Sequence, residues 1–168
     1  MPFRFLTVSP RVLRTGKRLV IRAPIQIDLL LMGGFGQYVL VDADTKQITI
    51  KRRSFWQTTA RRLLFDHVRA VTYGYVDLGE PYTSEIFESA HDSYDHFTVG
   101  LRLTDTSEVV LADFVGEGGF RNETGMPNWA FIHRFFFNLV GTQENDSRRL
   151  VDGLSELIGV PVIPGRRW

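Results

Sequence analysis

Apolar and polar residues alternate with a period of two through most of the chain before Asp146, and a helical period takes over at the end. Residues 3–8 and Arg18 to Ala23 are short β-prone pieces separated by breaks at Pro10 and Gly16. Ile25, Ile27 and Leu29 alternate before the flexible turn Met32 to Gly36. Tyr38 to Asp42 and Gln47 to Arg52 flank a tight turn, Asp42 to Lys46, and predict an antiparallel hairpin. Ser54 to Ala60 reads as a second turn carrying Phe55 and Trp56. Arg62 to Phe65 and Val68 to Tyr75 follow as strands, with His67 between them. Asp77 to Asp95 is a long irregular segment with six acids and no Lys or Arg. His96 to Thr104 and Val109 to Phe114 predict a later hairpin turning at Asp105 to Glu108, and Gly116 to Gly119 opens a loop that runs to Pro127.

Two helices are expected. In Asn128 to Val140, the residues Trp129, Ile132, Phe136 and Val140 share a helical face behind an Asn128 cap. Near the end, Leu150, Val151, Leu154, Leu157 and Ile158 fall on one face, and Arg148, Arg149, Asp152 and Glu156 on the other. Asp146 and Ser147 are candidate N-caps, Gly159 suits the left-handed C′ position, and Pro161 stops the helix. An isolated helix of about twelve residues is marginal in water, so its apolar stripe must pack on the strands. The expected architecture is a mainly β (α+β) domain: an antiparallel bent sheet or partly open barrel, closed by the C-terminal amphipathic helix. At 168 residues the chain suits a single domain over 1–168, with residues 1–24 as an N-terminal extension or edge strands.

Several antiparallel hairpins followed by one amphipathic helix resemble a pleckstrin-homology-like domain. The phrasing is also similar to bacterial proteins of that shape, in the hairpin Tyr38 to Arg52, the run FTVGLRLTD…VVLADF and the ending RRLVDGLSELIGVPV. The resemblance covers about Gln37 to Val162, with the segments Asp77–Asp95 and Gly116–Val140 as departures. It implies a binding role, toward an anionic lipid head group or a protein. Many bacterial members have no assigned function.

Composition narrows the chemistry. The chain has no cysteine, which excludes disulfides, zinc–thiolate sites and thiol catalysis, and fits a reducing, cytoplasmic setting. The Arg-rich start lacks a signal peptide's apolar core, and Pro2, Pro10 and Gly16 oppose a transit-peptide helix. The most apolar window, Ile25 to Val41, is interrupted by Asp28 and several glycines and is too short to span a bilayer. The net charge of +1 conceals an asymmetry: residues 1–75 carry +9 and residues 76–168 carry −8. Either the halves interleave in one sheet and their charges meet or face water, or a basic face meets an anion.

Lys51, Arg52, Arg53, Arg61 and Arg62 flank the segment with Phe55 and Trp56, a composition suited to an anionic membrane surface, to single-stranded nucleic acid or to a protein partner. On the competing reading Trp56 is core and the arginines are solvated or paired with the acidic loop. Nucleic acid is not the expected partner. A second cluster, Glu85, Glu88, His91, Asp92, Asp95 and His96, could hold a divalent metal for a hydrolase, or be a solvated acidic loop. The His91-Asp92 pair lacks the further ligands that metal-dependent HD phosphohydrolases need. The glycine clusters lack the lysine and the strand–loop–helix order of phosphate-binding loops. Finally, Trp129, Phe131, Phe135, Phe136 and Phe137 crowd five rings into nine residues, which suits either a large core or a self-association interface. A non-catalytic binding or assembly module without a cofactor is the preferred expectation.

Overall fold

A computed structural model describes residues 10–22, 35–77, 94–117 and 143–165. These form β1 (Arg11–Thr15), β2 (Arg18–Arg22), β3 (Phe35–Asp42), β4 (Gln47–Ser54), β5 (Gln57–Leu64), β6 (Val68–Asp77), β7 (Tyr94–Leu103), β8 (Glu108–Glu117), α1 (Gln143–Ile158) and β9 (Val162–Pro164). A 3-10 turn, Phe65–His67, links β5 to β6. Among the described residues the fold is mainly β with one C-terminal helix, as the alternation predicts, and the sheets are not closed into a barrel.

The strands divide by sequence. The first sheet runs β1-β2-β3-β4-β5 and the second β8-β7-β6-β9, antiparallel throughout except for the parallel pair β6–β9. Apart from β6, which comes almost wholly from the basic half, the two halves do not interleave: the basic half makes the first sheet, and the rest of the second sheet and the helix come from the acidic half. Leu19, Ile21, Val39, Val41, Ile48 and Ile50 of the first sheet share one buried cluster with Phe97, Val99, Leu101 and Phe114 of the second. Alternation holds along the strands that cover that cluster, because only one face of each sheet enters it.

Helix α1 closes the cluster with Leu150, Val151 and Leu154, against β6, β7 and β8. A Cβ on Gly153 would stand 3.1 Å from Leu19 Cδ1, so the helix also lies close over β2. Gly159 takes φ +79° at the C-terminus, as expected, and β9 starts just beyond Pro161. The N-terminus lies further back than the cap residues suggested. The helix begins at Gln143, and Ser147, inside it, bonds the Glu144 carbonyl (2.8 Å) and the Tyr73 hydroxyl (2.9 Å) instead of capping.

Three strands escaped the sequence pattern. Pro10 and Gly16 bound β1 rather than prevent it, and Gly16 sits at φ +56° in the β1–β2 turn. The seven-residue turn expected at Ser54 to Ala60 is mostly strand β5, rich in extended-backbone Thr. β9 is three residues long and pairs with β6, too short to show a period.

Candidate functional site

The β4–β5 hairpin is the feature that stands out from the body. Ser54 pairs with Gln57, which leaves Phe55 and Trp56 as a two-residue turn. Phe55 has φ +53° while Trp56 keeps a negative φ, the signature of a type II′ turn, whose first central position ordinarily takes glycine. A bulky side chain there costs on the order of 1–2 kcal/mol. The hairpin nevertheless presents two rings at its apex, centroids 5.7 Å apart, with Phe55 55% and Trp56 93% exposed. Trp56 is therefore not a core residue, which removes the part of the competing reading that placed it there.

Burial along β4 changes from buried at Ile48 and Ile50 to exposed from Lys51 to Ser54, and β5 is exposed from Gln57 to Arg62. The arm thus extends past the part of the sheet that covers the core. No Asp or Glu occurs between Lys46 and Phe65.

The register separates the basic residues predicted to act together. Ile50 and Arg61 are paired, as are Arg52 and Thr59, so Arg52 and Arg61 lie on the core-side face. Lys51, Arg53 and Arg62 lie on the outer face. Arg52 donates to the Val110 carbonyl at 3.1 Å, and Gln37 beside it donates to the Leu111 carbonyl at 2.8 Å. These two bonds brace the base of the arm against the open edge of β8. Arg61 acts on the β7–β8 turn. The Asp105 carboxyl there is held below its ordinary range, first by the Ser107 hydroxyl and backbone N–H, with a smaller contribution from Arg61. The five basic residues accordingly form two sets, one structural in part and one facing solvent.

The sequence reading missed Arg11 and Arg22. Both lie on the same outer face, in the cross-strand row that continues through Tyr38 to Lys51. The Arg22 guanidinium sits 5.4 Å from the Tyr38 ring centroid. The signal available was the outward alternation Arg18, Val20, Arg22; the pairing partners were not.

The proposed metal cluster does not assemble from its described members. Asp95 and His96 are consecutive strand residues and point to opposite faces of the second sheet. Asp95 is buried and accepts from the Tyr75 hydroxyl at 2.9 Å. His96 Nε2 instead lies 3.0 Å from Asp113 Oδ1, a carboxylate that also accepts from Thr98 at 3.0 Å. Among the described residues no three His, Asp or Glu side chains converge as metal ligands. Glu85, Glu88, His91 and Asp92 lie outside the described residues, as do Trp129, Phe131, Phe135 and Phe136 and the helix expected there. His67 is an exposed residue of the 3-10 turn. Among the described residues no helix is long and apolar enough to cross a membrane.

Comparison with family models, with curated proteins and with solved structures finds no match.

Proposed function

We propose that this protein is a non-catalytic module that docks on an anionic membrane surface through its β4–β5 hairpin, and that its two-sheet body with the C-terminal helix is pleckstrin-homology-like. The observation that carries this reading is Trp56, 93% exposed at the apex of an arm that contains no acid. Strain at Phe55 and exposure at Trp56 are both unfavourable in the free protein. A surface that accepts the two rings offsets both.

The chemistry of the arm matches a bilayer interface better than water or a dry pocket. Trp is favoured at the boundary between headgroups and acyl chains. Lys and Arg on the flanking strands can lay their methylene stems toward the bilayer while their charged ends remain at phosphate level. Anionic lipid then adds an attraction that salt weakens.

The test is co-sedimentation with phosphatidylcholine vesicles, with and without phosphatidylserine. The protein should partition onto the anionic vesicles only, and Trp56→Ala should weaken that by about tenfold. Equal pelleting of the Trp56→Ala variant would refute the hairpin as the contact.

A further inference from the structure

The first sheet carries a second feature that the hairpin tip alone does not explain. Its register aligns Arg11, Arg22, Tyr38, Lys51 and Ala60 in one row across all five strands. Residues paired across antiparallel strands share a face, and here it is the outer one, opposite Ile21, Val39 and Ile50. With strands about 4.8 Å apart, Arg11 and Lys51 stand roughly 14 Å from each other across three gaps. At about 3.3 Å per residue, the row lies on the order of 13 Å behind the Phe55–Trp56 turn and runs parallel to any plane that the tip touches squarely.

At the end away from the tip, Lys17 bonds Asp44 at 2.9 Å and Arg18 bonds Asp42 at 3.0 Å. Arg14, on the core-side face of β1, bonds Glu156 of α1 at 2.7 Å. At the tip end, Arg11, Arg22 and Lys51 are exposed, and no described carboxylate lies within ion-pair distance of them. Asp42, an acid on the outer face, is four residues along β3 from Tyr38 and held by Arg18 and by the N–H groups of Asp44 and Thr45. The stacking of Arg22 on Tyr38 keeps that guanidinium in the row. Three cations with no carboxylate partner among the described residues thus lie in a line on one face of the sheet, at the height where headgroups lie when the two rings enter the interface.

We infer that Arg11, Arg22 and Lys51 form a belt that contacts several anionic lipid headgroups at once, so that the protein responds to the charge density of a bilayer rather than to one headgroup. This rests on the membrane reading above. A line some 14 Å long, on the open face of a sheet, is wider than one phosphate and cannot close around it. Separate weak contacts on one surface add through effective concentration, which makes binding rise steeply with anion density.

The experiment uses the whole chain and vesicles of increasing phosphatidylserine fraction, with Arg11→Gln, Arg22→Gln and Lys51→Gln made singly and together. Circular dichroism confirms that each variant is folded. Each single change should lower partition about fivefold. Binding of the unaltered protein should rise more steeply than in proportion to phosphatidylserine, and soluble glycerophosphoserine or inositol hexaphosphate of matched total charge should not displace it. Full binding by the triple variant, or displacement by a soluble headgroup, overturns the belt and leaves hairpin docking standing. Failure of the unaltered protein to bind any anionic vesicle overturns both. Capture of a single-stranded RNA oligonucleotide that depends on the same three residues, with no vesicle binding, assigns the row to a nucleic acid instead and overturns it equally.

Discussion

The rings of Phe55 and Trp56 meet at 5.7 Å and 45° on the apex of a hairpin whose turn geometry favours a residue without a side chain. The fold would be better served by glycine at position 55 and the proposed contact better by phenylalanine. Phe55→Gly should therefore raise stability to denaturant by about 1 kcal/mol, through relief of the positive φ, while weakening attachment to anionic vesicles. A variant that loses stability would show that the Phe55 ring supports the fold.

Trp56 gives the opposite balance. At 93% exposure it contributes little to the folded state, so Trp56→Ala should leave the urea midpoint within about 0.5 kcal/mol of the original. Its effect should fall on surface binding alone.

The seat of the helix is more sensitive. Leu154 is fully buried where α1 meets both sheets, and Leu154→Ala should cost about 2–5 kcal/mol. Gly100, at the β7–β8 bulge, is closely confined: a Cβ there would stand 2.8 Å from Thr72 Oγ1 and 2.9 Å from the Val109 carbonyl oxygen. Because the second of these is backbone, Gly100→Ala should cost about 1–3 kcal/mol by overpacking. Thermal unfolding monitored by circular dichroism measures both.

Arg14 donates to both carboxylate oxygens of Glu156, at 2.7 and 2.8 Å, and ties the edge strand β1 to the helix. Those hydrogen bonds, with the attraction between the charges, hold the Glu156 carboxyl below its ordinary range and raise the Arg14 guanidinium further above its own. A carboxyl whose folded value is depressed stabilises the fold above the unfolded value, and that stabilisation is lost as pH falls through the folded one. Arg14 stays protonated throughout, so the whole dependence lies on the acid side. Both partners are solvent-exposed, so the effect is small and screened by salt. Arg14→Gln should remove the corresponding part of the loss in melting temperature on acidification, while the variant and the original converge at low pH.

Most of the fold was legible in the sequence because one face of each sheet is buried, and burial writes a period of two into β3, β4, β6, β7 and β8. The C-terminal helix was legible for the same reason, from Leu150 to Ile158. Legibility failed where burial fails. Strand β5 is exposed from Gln57 to Arg62, so no alternation marks it, and its Thr-rich stretch resembled a turn. The site was half legible. Basic residues around Phe55 and Trp56 were visible as a local cluster, yet the sequence could not show that Arg52 and Arg61 turn inward. Arg11 and Arg22 join Lys51 only through pairings of β1 with β2, β2 with β3 and β3 with β4, which bring together residues up to forty positions apart. Asp95 and His96 show the converse: successive strand residues face apart, so these two described members of the acidic histidine cluster lie on opposite faces of the second sheet.

The most direct test of the account is the emission of Trp56 on adding vesicles, isolated as the difference between the original protein and Trp56→Phe. Docking by the hairpin tip predicts a blue shift with phosphatidylserine-containing vesicles, none with phosphatidylcholine alone, and reversal by high salt. Emission that remains at the wavelength of a water-exposed indole while the protein pellets with anionic vesicles would contradict it, because the membrane contact would then lie elsewhere on the molecule.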